Sequence, residues 1–239
     1  GAAQIEYRQM YGPSSHHVAR FYDRRLVEWR GRVHELPYRR PGAPPLPALR
    51  CRDDQFLIRH HKGETKERVY LSGLALDALA FPENPRWRHY LGRELYYHRW
   101  FRSAIPVLHE HAARADAGRS ERSESLCLAA MCAEALDDPE AAANSYRRAA
   151  DVDPTRRQPL VRLAALEGRL GRFVESAAAA RTALSIERSN AFIEPDANYG
   201  TLPHALLYWA LFWLGRISEA REHWEICRRL EPDEPVFAQ

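Results

Sequence analysis

The first third of the chain holds the side chains whose types could do chemistry. Residues 1–82 contain 14 Lys or Arg against 9 Asp or Glu, whereas residues 83–239 contain 21 against 23. Within that basic third, Trp29, His34 and Glu35 fall in one seven-residue stretch, and His60-His61-Lys62 follows later. An imidazole can bind a metal, a carboxylate can accept a proton, and arginine binds phosphate or carboxylate groups. This part of the chain is therefore suited to an anionic ligand, although the absence of a lysine-rich stripe argues against nucleic acid.

Other patterns that could mark a catalytic or metal site are absent or poorly formed. His16-His17 is a poor chelate because neighbours on a strand point to opposite faces, and Asp53-Asp54 is typical of a turn. Asp151-Val152-Asp153 precedes Pro154, where it is typical of a helix end. The sequence contains no nucleophile elbow, phosphate-binding loop or zinc-ligand spacing. Its four cysteines indicate neither a zinc site nor a disulfide framework: Cys51, Cys127, Cys132 and Cys227.

Composition excludes several classes of protein. The chain has 239 residues, 28% charged and 45% hydrophobic, with a formal net charge of +3, which is typical of a globular protein of one or two domains. No stretch approaches the ~18 consecutive apolar residues of a membrane-spanning helix, so we expect no membrane span. The N-terminus, Gly1-Ala2-Ala3-Gln4, does not have the pattern of a signal peptide. We expect a trimmed N-terminal end and a cytoplasmic protein.

The candidate residues must be positioned by a layer of strands. Alternating or short apolar runs, separated by turns and by the proline-rich segment 41–47, predict four antiparallel strands at 4–11, 18–22, 26–36 and 55–60. Four strands hold no deep core of their own, so we expect residues 1–63 to pack on another element. Residues 64–83 are apolar on most sides and end in helix-breaking prolines, which predicts a buried connecting helix.

The remaining residues, 84–239, contain an internal repeat. Small residues recur at separations of 38, 34 and 44, and a second set, mostly small, follows each of them by seven residues. The first set is Ala104, Ala142, Ser176 and Ala220, and the second is His111, Ala149, Ala183 and Cys227. The spacing is close to the 34-residue period of tetratricopeptide repeats, and residues 84–232 resemble that family. The resemblance implies three or four helical hairpins that stack into a solenoid.

The last interval of the repeat is the longest. We predict a loop over residues 189–203, because the prolines and Asn198-Tyr199-Gly200 break helices. Trp209, Phe212 and Trp213 follow at i, i+3 and i+4 spacing on the next helix. For these three residues we predict a place in the core rather than a binding platform.

Three motifs, in order, resemble a second family. Trp29-x-Gly31-x-Val33-His34-Glu35 is followed by Ile58-Arg59-His60-His61, and then by Asn84-Pro85-Arg86-x-x-x-Tyr90-Leu91-Gly92-Arg93-Glu94-Leu95. Together they resemble bacterial family 2 glycosyltransferases that carry C-terminal tetratricopeptide repeats. The resemblance implies an A-type catalytic domain that uses a divalent metal, Mn²⁺ or Mg²⁺, to move a sugar from a nucleotide-sugar to a protein or glycan acceptor.

The same resemblance implies roles for individual residues. His34 would be a metal ligand, and Glu35 a general base or a partner that orients His34. Donor binding would fall to Trp29, Arg32, His60, His61 and Lys62. Structural alternatives stand beside these roles: an ion pair of Glu35 with Arg30 or Arg32, a core position for Trp29, and a solvated loop for the basic residues.

The sequence departs from that family before the repeats. Residues 1–82 are too few for an A-type domain and contain no Asp-x-Asp metal motif. We therefore expect a fragment, or one half of a split enzyme whose nucleotide-binding half is a separate chain.

Two hypotheses follow. In the first, the chain is the C-terminal part of a metal-dependent glycosyltransferase: a mainly α protein with a tetratricopeptide-like solenoid, preceded by a short strand layer from the end of the A-type domain. Its repeats would then position the acceptor or a partner. In the second, the chain is a non-catalytic tetratricopeptide module for protein–protein interaction.

Overall fold

The computed structural model describes residues 4–11, 14–45, 48–52, 54, 57–60, 70–188 and 194–233. The chain divides into two compact units, Gly1–Ala80 and Phe81–Gln239. In these ranges the first unit contains strands and one helix, and the second consists of helical hairpins. The predicted class, mainly α with a short strand layer before the hairpins, is confirmed. Within those ranges no helix is both long enough and apolar enough to cross a membrane.

The sheet of the first unit is mixed rather than antiparallel. Strands β1 (Gln4–Tyr11) and β2 (Ser14–Tyr22) form an antiparallel hairpin. Strands β5 (Ala48–Arg50) and β6 (Leu57–His60) both pair with β1 in the parallel direction. The antiparallel prediction was therefore wrong for β5 and β6. The long connection after β2 lets the chain return in the direction of β1, and side-chain alternation carries no information about strand direction.

The strand predicted over residues 26–36 is two strands joined by a bend. Strand β3 (Val27–Arg30) pairs antiparallel with β4 (Leu36–Arg39) in a separate two-stranded sheet. Gly31 has φ 105° and His34 has φ 53°, so both occupy the left-handed region and reverse the chain. The described residues thus contain six strands where four were predicted. The hydrophobic pattern of residues 26–36 continues through the change in backbone direction, and β5 was not predicted.

Helix α1 (Leu71–Ala80) is the described part of the predicted connecting segment, and it belongs to the first unit. Its Leu74 and Asp77 are buried, whereas Leu76 and Leu79 are exposed. A Cβ atom on Gly73 would overlap with Cγ2 of Val33, so α1 and the bend after β3 touch at this glycine. Residues 61–69 lie outside the described residues.

The described residues of the second unit form four helical hairpins: α2 (Pro85–Tyr97) with α3 (Phe101–Ala113), α4 (Arg119–Ala135) with α5 (Pro139–Val152), α6 (Gln158–Arg169) with α7 (Phe173–Ser185), and α8 (Thr201–Trp213) with α9 (Ile217–Leu230). A 3-10 turn, Asp196–Tyr199, precedes α8. Helix α2 also contacts α4, and α6 contacts α8. The first helices of these two pairs of successive hairpins therefore lie side by side.

The small residues that revealed the repeat are the points where helices meet. All eight repeat residues named above are buried: Ala104, Ala142, Ser176, Ala220, His111, Ala149, Ala183 and Cys227. A Cβ atom on Gly92 would lie 2.6 Å from Cδ2 of Leu108, so this glycine allows α2 to approach α3 closely. The core is rich in alanine around a few large side chains such as Tyr146 and Leu211.

The ends of the helices follow their local sequence. Asn84 caps α2 and Asp138 caps α5, each accepting a hydrogen bond from a backbone N–H of the first turn at 3.0 Å. Gly171 and Gly215 adopt positive φ in the turns after α6 and α8. Asp153 follows the last residue of α5 and accepts hydrogen bonds from Ser120 and Thr155, which is the helix-end role expected from sequence.

Candidate functional site

The residues predicted to bind a sugar donor lie partly on the β3–β4 hairpin. Trp29 is 51% exposed, and its ring meets that of Tyr22 edge to face with centroids 5.4 Å apart. The alternative core position of Trp29 is therefore wrong. Of the other predicted donor-binding residues, His60 ends β6, and His61 and Lys62 lie outside the described residues.

Arg32 is held by a buried carboxylate of the same unit. The Arg32 guanidinium donates to Oδ1 of Asp77 at 2.8 Å, and its backbone N–H donates to Oδ2 at 2.6 Å. The backbone N–H of Val33 also donates to Oδ2, at 3.3 Å. Because Asp77 is completely buried, these three hydrogen bonds compensate the cost of burying its charge and fix the bend on α1.

His34 and Glu35 are exposed in the bend between β3 and β4. The His34 ring lies against the ring of Tyr70, with centroids 5.5 Å apart. Arg30 pairs with Glu28 at 2.6 Å and Arg32 pairs with Asp77, so the two arginines considered as partners of Glu35 have other carboxylates. The side chain of His34 thus lies at the surface of the first unit rather than in its core.

The groups described around His34 do not form a set of metal ligands. Asp77, the buried carboxylate beneath the same bend, already accepts three hydrogen bonds from Arg32 and Val33. No group of three or more His, Cys, Asp or Glu side chains that could hold a metal occurs in the part of the chain that the structure describes. The metal role of His34, the catalytic role of Glu35 and the donor-binding roles stay predictions.

The second unit has a feature of another kind, on α8. Trp209 is 49% exposed, Phe212 45% and Trp213 55%, so the predicted core position of these residues was wrong. Helix α8 instead buries its opposite face, which carries Leu207, Ala210 and Leu211. Both faces of this helix are apolar, and the i, i+3, i+4 pattern could not show which one the neighbouring helices cover.

The exposed rings of α8 form one contiguous cluster. The ring of Trp209 stacks on that of Phe212 and meets Trp213 edge to face, with centroids 6.1 and 5.9 Å apart. Trp213 also stacks on Phe173, the first residue of α7, at 5.6 Å and nearly parallel. We call these four residues, Phe173, Trp209, Phe212 and Trp213, the aromatic patch. None of the 13 residues of α8 is an Asp, Glu, Lys or Arg.

Arginines line the neighbouring first helix. Arg162 and Arg169 are seven residues apart on α6, so they point in nearly the same direction, and both are exposed. Arg169 pairs with Glu134 of α4. Among the described residues no ion pair to Arg162 is found. Ala165 lies between the two arginines, so the exposed face of α6, a helix that contacts α8, carries a short basic strip.

Known structures with the same arrangement of helices identify the fold. The chain is similar to the crystal structure of MamA protein (TM-score 0.54, 14% identity, 71% of this chain and 85% of that one). It is also similar to Pseudomonas aeruginosa PilF (0.53, 13%, 70% and 70%) and to YrrB, a TPR protein with an unusual peptide-binding site (0.52, 11%, 70% and 79%). The helical hairpins have a tetratricopeptide-repeat fold.

The tetratricopeptide likeness concerns the fold alone. No protein-family model and no curated protein matches the sequence. The comparisons therefore confirm the tetratricopeptide fold predicted for residues 84–232. The resemblance of the earlier motifs to glycosyltransferases stays a prediction. Sequence reasoning placed Trp209, Phe212 and Trp213 in the core, although the lack of Asp, Glu, Lys and Arg on α8 was a signal in the sequence that both of its faces are apolar.

Proposed function

We propose that the tetratricopeptide unit is a protein-interaction module and that the aromatic patch is its docking surface. The observation that carries this proposal is the exposure of Trp209, Phe212 and Trp213, each about half accessible, on a helix without any charged residue. Contiguous exposed apolar surface of this kind is a mark of interaction sites, and aromatic residues are enriched in their centres.

Leaving the aromatic patch in contact with water costs free energy that burial of its rings would recover. Fully burying a large apolar side chain contributes about 2 kcal/mol, so half-exposed rings forgo about 1 kcal/mol each. A partner that covers Trp209, Phe212 and Trp213 recovers that free energy. Trp and Tyr also carry much of the binding energy in measured protein interfaces, which supports Trp209 and Trp213 as the main contacts.

A further stacked hairpin does not account for the patch. Helix α8 packs on α7, where Ala177 is buried and Leu184 packs against the core. The equivalent residues of α9, 44 positions later, are Arg221 and Arg228, and both are exposed. The Arg228 guanidinium lies over the Trp224 ring at 5.2 Å. The face of α9 that would receive another hairpin therefore carries two exposed arginines beside exposed Ile217, while the rings Trp209, Phe212 and Trp213 lie on α8.

Photo-crosslinking from the patch tests this function. A benzophenone amino acid replaces Phe212 in the full chain, which is then irradiated in the cells that produce it. We expect discrete adducts with a partner protein, and their loss when Trp209→Ala is added. The matched control carries the same group at Glu222, an exposed residue of α9.

The comparison with the control position decides the outcome. Adducts at Phe212 that are absent at Glu222 support the docking surface. Equal adducts at both positions, or adducts unchanged by Trp209→Ala, would show nonspecific contact and contradict the proposal. Circular dichroism of each variant checks that the helical fold is kept.

A further inference from the structure

We infer that the partner segment on the aromatic patch is an amphipathic α-helix with an acidic flank. This inference rests on the proposed function and adds the conformation and charge of what is bound. It follows from three observations: the shape of the exposed apolar surface, the absence of hydrogen-bonding groups on α8 that could pair with the backbone of an extended peptide, and the positive charge of the neighbouring helix α6.

The exposed apolar surface of α8 is a straight stripe. Leu202, Trp209 and Trp213 are exposed, and their separations of seven and eleven residues from Leu202 place all three within an arc of about 40° around the helix. The stripe is about 16 Å long, or three helical turns. Phe173 of α7 stacks on Trp213 and extends the surface at one end. A second helix laid along the stripe can contact it through residues i, i+3 or i+4, and i+7.

An extended peptide is a poor match for the same stripe. The backbone N–H and C=O groups along α8 are used in its own hydrogen bonds, and the exposed side chains Leu202, Trp209, Phe212 and Trp213 supply little hydrogen-bonding capacity. An extended segment would bury unpaired backbone groups there, each costing about 1–3 kcal/mol. A helical segment satisfies its own backbone groups and presents only side chains.

The positive charge of the neighbouring helix α6 favours acidic residues on one side of the bound segment. Helix α6 contacts α8 directly and exposes Arg162 and Arg169 in a row. Arg169 forms an ion pair with Glu134, whereas among the described residues Arg162 has no carboxylate partner. Because α8 contains no Asp, Glu, Lys or Arg, these arginines supply positive charge on a helix that contacts it. Asp or Glu on one side of the bound helix complements them, and Lys or Arg there is repelled.

Selection from a random peptide library tests both features. Displayed peptides of about 16 residues, long enough for the stripe, are selected on the full chain and, in parallel, on Trp209→Ala. We expect enriched sequences with apolar residues at helical spacing and an excess of Asp and Glu. A synthetic peptide from this set should gain helical signal on binding.

A charge-reversal variant distinguishes a local effect of the arginines on α6 from an effect of the overall charge of the protein. We expect Arg162→Glu to weaken binding of the selected peptide about tenfold or more. The control Arg102→Glu changes an exposed arginine of α3 and should leave the affinity unchanged. Equal loss in the two variants, enrichment of basic or proline-rich sequences, or a wild-type chain that dimerises through the patch while Trp209→Ala is monomeric would each overturn the inference.

The two proposals fail in different ways. If crosslinks from Phe212 depend on Trp209 but no acidic helical peptide binds, the docking surface stands and the inference about its partner is wrong. If neither crosslinks nor peptides are found, both fall.

Discussion

Arg156 and Glu194 form a buried ion pair between residues 38 positions apart, with Nε of Arg156 3.1 Å from Oε1 of Glu194. Each side chain is less than 5% exposed. Glu194 also accepts hydrogen bonds from the backbone N–H groups of Arg157 and Gln158, at the start of α6, and from the hydroxyl of Tyr199. The carboxylate therefore ties the segment before α8 to the N-terminus of α6, where a negative charge is favourable.

We expect Glu194→Gln to lower the free energy of unfolding of the helical unit by about 2–3 kcal/mol. The change removes the charge but keeps the shape, so it leaves Arg156 with Glu124 as its remaining carboxylate at this site. Urea unfolding followed by circular dichroism measures the loss. Asp196→Asn is the control, because Asp196 pairs with Arg188 at the surface and such pairs contribute about 0.5 kcal/mol or less. Equal effects of the two changes would contradict the role of Glu194.

The same glutamate, Glu194, also affects the pKa of Tyr199. Burial, with a smaller contribution from the hydrogen bond to Glu194, raises the pKa of Tyr199 to about 12. In Glu194→Gln we expect the pKa of Tyr199 to move back toward its usual value near 10, because the repulsive carboxylate is removed. Ultraviolet titration of tyrosine ionisation measures this change, with Tyr199→Phe identifying the signal. An unchanged pKa would show that burial alone controls it.

His89 and His111 share one buried hydroxyl. The Nδ1 atoms of both rings lie 2.8 Å from Oγ of Ser125, and since one hydroxyl donates a single hydrogen, one imidazole donates to it and the other accepts. Burial, supported by nearby arginines, lowers the pKa of His111 to about 4 and lowers that of His89 well below its usual value. Both rings are therefore neutral in the fold at neutral pH.

We expect the fold to lose stability below pH 6.5. The unfolded chain binds protons at these histidines near pH 6.5, whereas the folded chain does not, so their stabilisation is complete above that pH and falls as the pH drops toward 4. For His111 alone the loss between pH 7.5 and pH 5 is about 2 kcal/mol. Urea unfolding at the two pH values measures it. His111→Gln should reduce the pH dependence, and His34→Asn, which changes an exposed imidazole, should not.

Asp77→Asn should release the bend after β3 from α1. An amide keeps one acceptor oxygen but loses the charge that pairs with Arg32, so we expect a loss of about 2 kcal/mol in the local stability of the bend. Hydrogen exchange at the backbone amides of Arg32 and Val33 measures this directly, because both donate to the carboxylate. The control Asp54→Asn removes an exposed pair with Arg52 and should leave these exchange rates unchanged.

Gly92→Ala should destabilise the first hairpin by about 1–2 kcal/mol. The added Cβ would lie 2.6 Å from Cδ2 and 2.7 Å from Cγ of Leu108, and this overlap outweighs the roughly 1 kcal/mol that alanine gains in a helix. Gly168→Ala is the matched control, since its Cβ would meet only Ser176, at 3.3 Å. Thermal unfolding of the two variants compares them. If Gly92→Ala is as stable as Gly168→Ala, the close contact of α2 with α3 is not required.

The sequence by itself determined the helical hairpins. Small residues at a near-constant spacing predicted which positions are buried between helices, and Ala104, Ala142, Ser176 and Ala220 are buried as expected. This part was predictable because each hairpin repeats the same local contacts, so the pattern is present several times in the chain. The helix end at Asp153 was also predicted from local sequence.

Only the tertiary structure decided the surfaces and the long-range partners. Helix α8 has apolar residues on two faces, and its packing on α6 and α7 buried Leu207 and Leu211 while leaving Trp209 and Trp213 exposed. The pairing of Arg156 with Glu194 and the reversal of the chain at His34 were likewise invisible in the pattern. Hydrophobic periodicity shows which residues share one face of a helix or strand. Which neighbour covers that face depends on how distant segments of the chain pack.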